Sequence, residues 1–95
     1  MVTKERVIEE LETVYDPELG LDVYTLGLIY SINIISDTEV NILMTYTTPA
    51  CPYGPVLNNS ITDALRGLGF NRTLIKLTFV PAWKPPANIR EMLGL

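Results

Sequence analysis

Cys51 is the one side chain of this sequence that is both a strong nucleophile and a soft-metal ligand. It stands in Thr47-Thr48-Pro49-Ala50-Cys51-Pro52-Tyr53-Gly54-Pro55, ahead of Val56, Leu57, Ile61, Ala64, Leu65 and Leu68 at helical spacing. Proline suits the first helical position, so this helix starts between Pro52 and Pro55, with Cys51 at or within a few residues of its N-terminus. Unpaired amides and the positive end of the helix dipole favour an anionic sulfur there. The competing reading is an inert core thiol, since free cysteine is among the most buried residue types. Two prolines and two threonines around Cys51 weigh against it, because a core cysteine needs no such rigid turn.

Asp16 and Glu18 flank Pro17, with Asp22 four residues beyond Glu18. They could serve metal or acid-base chemistry. The residues alone speak more for a turn in which Asp16 accepts from nearby backbone amides. Thr47 and Thr48 either line a site with Cys51 or simply leave a strand. The chain has no His, which excludes an imidazole base, a serine-type triad and an imidazole-rich zinc site of its own. A single Cys excludes an internal disulfide and fits a reducing compartment. Leu26-Gly27-Leu28 and Gly67-Leu68-Gly69 lack the pattern of a phosphate loop. Trp83, among Pro81, Pro85 and Pro86, is either a recognition aromatic or a cap over the end of a sheet.

These residues must be positioned by a small frame. At 95 residues, 47% hydrophobic, the chain reads as one domain over 1–95, burying roughly two thirds of its surface around one modest core. Seven Lys and Arg against eleven Asp and Glu, net −4, are too few and too scattered for a nucleic-acid stripe. No apolar run spans a bilayer and the N-terminus is no signal peptide, so the expectation is a cytoplasmic protein without membrane contact. Val7, Ile8, Leu11, Val14 and Tyr15 predict a first helix over 3–15 with Thr3 as N-cap, ended by Asp16-Pro17. Alternation predicts strands over Leu28–Ser36 and Glu39–Tyr46, joined as a hairpin at Ser36-Asp37-Thr38, and a third over Thr73–Val80. The second helix ends near Gly67 or Gly69, and a short one covers Ala87–Leu93. The fold class is α+β, a two-layer αββαβ sandwich with helices on one face of a small three-stranded mixed sheet.

Asp16-Pro17-Glu18-Leu19-Gly20, Leu26-Gly27-Leu28-Ile29-Tyr30 and Thr47 through Pro52 opening a helix together resemble the metal-sulfur cluster biosynthetic family that includes SufT and the PaaD branch. The match runs nearly the whole chain, including Arg90 to Gly94. It departs where the family has Trp-Asp-Pro-Pro-Trp and this sequence has Phe79-Val80-Pro81-Ala82-Trp83. The resemblance implies a cluster-assembly-type domain acting in iron-sulfur protein maturation, not an enzyme. Its site would be Asp16, Glu18, Thr47, Thr48 and Cys51, with Cys51 the ligand of a metal or a transient iron-sulfur cluster. Clusters usually take four ligands, mostly thiolates, so a monomer with one Cys holds none tightly. That leaves ligation across a homodimer, or a targeting role in which the domain grips an iron-sulfur carrier or client protein. Two other readings stand beside it. In one, Cys51 is the nucleophile of a thiol enzyme with Asp16 or Glu18 carrying the proton; in the other, the chain is an interaction module that does not need Cys51.

Overall fold

The structure is a computed structural model describing residues 2–93; Met1, Leu95 and the Gly94 of the C-terminal match lie outside the described residues. Thr3 opens α1 (Lys4–Leu11) with extended backbone, and its hydroxyl accepts the Arg6 N–H at 3.2 Å. This satisfies one of the first turn's free amides.

The helix ends at Leu11, four residues before Tyr15, the end predicted from apolar spacing. The Thr13 and Val14 amides bond carbonyls three residues back, and the Thr13 hydroxyl also donates to Glu10 at 2.6 Å. That tightened turn breaks the α-helical ladder. Val14 still enters the core, but from beyond the helix: its carbonyl accepts from Val23, and the exposed Tyr15 bridges Asp22.

Strand β1 (Ile29–Ile34) runs antiparallel to β2 (Glu39–Met44), and β3 (Arg72–Leu77) lies parallel to β2, giving the sheet order β1-β2-β3. A parallel pair requires a crossover, which α2 (Gly54–Arg66) provides. Strict alternation in β2 sends Val40, Ile42 and Met44 into the core, where they meet Val7 and Leu11 of α1 and Leu57, Ile61 and Leu65 of α2. Thr45, the polar residue that follows β2, is fully buried. Its amide donates to Leu28 at 2.9 Å, one rung beyond the strand pair.

β3 is shorter than the predicted Thr73–Val80. Thr78 adds one more rung to Met44, but its hydroxyl then accepts the Val80 amide and turns the chain away before Phe79 can pair. The Val80–Pro81 peptide is cis. The last helix, α3 (Ala87–Leu93), buries Ile89. The mixed three-stranded sheet with its helices is the α+β architecture the sequence predicts. No helix among the described residues is long and apolar enough to cross a membrane.

Candidate functional site

The topology brings three segments to one end of the sheet. The acidic loop leads into the start of β1, the Cys51 segment leaves the end of β2, and the segment after β3 leaves that parallel strand at the same end. Within the second of these, Thr48 builds the turn. Its hydroxyl accepts the Ala50 amide and its carbonyl accepts the Cys51 amide, both at 3.2 Å. Cys51 in turn accepts the Gly54 amide at 3.3 Å, so the chain passes straight into α2. The helix starts inside the predicted window, with Pro55 in its first turn and no side-chain cap at Tyr53. Cys51 is half-buried against the core, Thr47 is half-buried, and Thr48 is exposed.

Tyr46 underlies this turn and is a site residue that the sequence reading used only as core. Its ring is buried, its hydroxyl donates to Asn58 Oδ1 at 3.1 Å, and Phe79 meets it edge-on at 6.2 Å between centroids. Gly54 lies against the ring so closely that a Cβ there would fall 2.5 Å from it. Burial raises the Tyr46 phenol above its ordinary 10.0, negative charge on Cys51 raises it further, and the Asn58 hydrogen bond opposes both. The phenol therefore stays neutral beside the sulfur. The available signal was a large aromatic ending a strand with a glycine opening the next helix eight residues later.

Asp16 is buried and organises its own loop. Its Oδ1 accepts the Glu18 and Leu19 amides at 2.8 and 3.0 Å, while its backbone bonds Leu21 and Gly20. Glu18 is exposed. Among the described residues no hydrogen bond or ion pair joins Asp16 or Glu18 to Cys51, and no group of three Cys, Asp or Glu side chains is placed to hold a metal ion. The segment after β3 ties the two sides together. Phe79 packs on Tyr46, the Tyr30 hydroxyl donates to Pro81 at 2.7 Å, and the Trp83 indole donates to Leu26 at 2.6 Å. Trp83 thus caps the sheet end, and the segment that departs from the family pattern keeps an aromatic at 79 in contact with the Cys51 side.

A mixed sheet carrying one half-buried thiol at its loop end defines a small single-cysteine α+β domain. The family model described as iron-sulfur cluster assembly protein matches residues 4–73, and the chain belongs to that family. It is 38% identical over 92 residues to an Fe-S protein maturation auxiliary factor of Porphyromonas gingivalis, covering 96% of this chain and 88% of that one. It is 36% identical over 81 residues to the Fe-S protein maturation auxiliary factor YitW of Bacillus subtilis, covering 84% and 79%. Among solved structures, a conserved hypothetical protein of Thermotoga maritima superposes with TM-score 0.85 at 42% identity, covering 99% of this chain and 96% of that one. A Mycobacterium tuberculosis protein associated with Fe-S complex assembly and repair gives TM-score 0.58 at 34% identity, covering 93% and 80%.

Proposed function

We propose that this protein is a non-enzymatic maturation factor for iron-sulfur proteins, with Cys51 as the group that meets the cluster. The observation that carries this reading is the construction around one thiol: a Thr48 turn, a neutral phenol beneath it and a glycine that lets α2 close on that phenol. Family membership and relatives named as maturation factors support it. The cluster is cargo. One chain supplies one thiolate, so the remaining ligands come from a second copy or from the carrier or client protein, and occupancy is brief. Asp16 shapes the acidic loop that carries Glu18, while Thr47 and Thr48 lead the chain into the Cys51 turn.

The test is Cys51→Ser, with activity of an iron-sulfur enzyme in complemented cells as readout. Serine preserves size and hydrogen bonding, so the melting temperature should stay within about 3 °C while complementation fails. Full rescue would return Cys51 to a packing role.

A further inference from the structure

Two cavities reach β3 away from Cys51. One of about 340 Å³ is lined by Glu39, Thr62, Asn71, Arg72, Thr73 and Leu74. Another of about 270 Å³ lies over the open face of the sheet and shares Leu74, with Asn41 and Lys76 among its walls. Both take in Leu74 of β3, the strand at one edge of the sheet. The Arg72 and Thr78 amides point toward β2, bonding Thr38 and Met44. Because backbone groups alternate sides along a strand, Thr73, Ile75 and Leu77 direct theirs outward. β3 is the last strand of the sheet, and none of those three residues makes a further backbone hydrogen bond among the described residues.

The side chains beside this edge are those of a receptor more than of a guarded edge. Leu74 is 62% exposed. Among the described residues the buried Thr73 hydroxyl has no hydrogen-bond partner. Arg72 and Lys76 take part in no ion pair among the described residues. The chain is also polarised: residues 1–50 hold nine carboxylates and two cations, residues 51–95 two carboxylates and five cations.

We propose that the β3 edge docks an extended acidic segment of a partner protein, added to the sheet as a fourth strand. Main-chain pairing to Thr73, Ile75 and Leu77 would supply the affinity. Carboxylates on the segment's open-face positions would meet Arg72 and Lys76, and an apolar residue between them would cover Leu74. A second copy of this chain fits the edge poorly. Antiparallel self-pairing through the outward residues sets Arg72 directly or diagonally against Lys76 of the other copy, and like charges so placed repel. The proposal stands independently of any role for Cys51.

The test uses an end-blocked heptapeptide alternating glutamate with valine and threonine, titrated into isotope-labelled full-length protein and followed by NMR. The Thr73, Ile75 and Leu77 amides should shift and exchange more slowly, and a glutamine-for-glutamate peptide should bind about tenfold more weakly. The double variant Arg72→Glu, Lys76→Glu should lose the preference for the acidic peptide. Leu77→Pro, which deletes one outward donor at the strand's end, should weaken both peptides while circular dichroism stays native. Unchanged exchange at about 1 mM peptide, or equal affinity for the two peptides, overturns the proposal. So does sedimentation as a dimer with those amides already protected in the free protein, since a second copy would then fill the edge.

Discussion

Replacing Gly54 with alanine tests whether the ring of Tyr46 fixes the entrance of α2. Gly54 is the first residue of that helix, and its backbone lies outside the left-handed region that favours glycine. Alanine is ordinarily preferred in a helix by about 0.8–1.0 kcal/mol, so a helix-only argument predicts stabilisation. The structure predicts the opposite. An added Cβ would fall 2.5 to 2.7 Å from three atoms of the Tyr46 ring and phenol, about 1 Å inside ordinary carbon contact. The ring cannot slide away freely, because Asn58 holds its hydroxyl and Phe79 stands against it. Overpacking of this kind costs about 1–3 kcal/mol; with part of the helix preference recovered, the net loss is about 1.5 kcal/mol. For a domain of this size that lowers the melting temperature by roughly 6–12 °C.

Thermal and urea unfolding of Gly54→Ala, Tyr46→Leu and the double variant form the assay. In the Tyr46→Leu background the ring is gone, so Gly54→Ala should cost nothing or stabilise, giving a coupling energy of about 1–2 kcal/mol between the two positions. A single Gly54→Ala variant as stable as the parent, or additive effects in the cycle, would refute the proposed wedge of ring under helix.

Three further outcomes follow from the same geometry. Asp16→Ala strips the acceptor from the Glu18 and Leu19 amides and should cost about 2 kcal/mol in denaturant titrations, whereas Asp16→Asn keeps an oxygen there and should cost about 1 kcal/mol; equal losses would make the charge, not the acceptor, the decisive feature. Since the Tyr46 phenol is raised above 10.0 by folding, the folded chain keeps a proton that the unfolded chain releases. Its contribution to stability is whole below about pH 10 and is lost as pH rises through the higher folded value. Melts taken from about pH 8 to about pH 11 should therefore fall less steeply for Tyr46→Phe than for the parent. Trp83→Phe deletes the 2.6 Å bond to Leu26 and should cost about 1 kcal/mol, with faster hydrogen exchange over residues 78–86; unchanged exchange would show that Phe79 and Tyr30 hold that segment without it.

The elements that sequence reading recovers are those whose burial follows a single period. Val40, Ile42 and Met44 alternate without interruption, and Leu57, Ile61 and Leu65 repeat at four, so β2 and α2 were legible. Val14 shows the limit. It is buried at a helical interval from Val7 and Leu11, but it gets there from a turn past the end of α1, and spacing does not distinguish the two routes. The end of β3 was hidden for another reason: the Thr78 hydroxyl captures the Val80 amide, a side-chain bond that competes with the ladder. At the candidate site, the Asp16 turn was legible because its acceptors and donors are two and three residues apart. The support beneath Cys51 was not, because Tyr46, Asn58 and Phe79 lie on β2's exit, α2 and the segment after β3. Only the closed fold brings them together.

The chain directions connect the thiol to the edge that carries the docking proposal. β2 and β3 are parallel, and both finish at the end of the sheet where the Cys51 turn sits. A segment paired along β3 from Thr73 to Leu77 therefore runs on the axis that leads to that end, covering about 3.3 Å per residue. If it lies parallel to β3, the residues that follow its acidic stretch emerge beside the Cys51 turn; if antiparallel, the residues that precede it do. In either sense the proposed docking would engage a partner by backbone and charge while leaving the sulfur uncovered. If Cys51 meets a cluster as proposed, holding a partner at this edge would raise the effective concentration of that partner's groups at the sulfur.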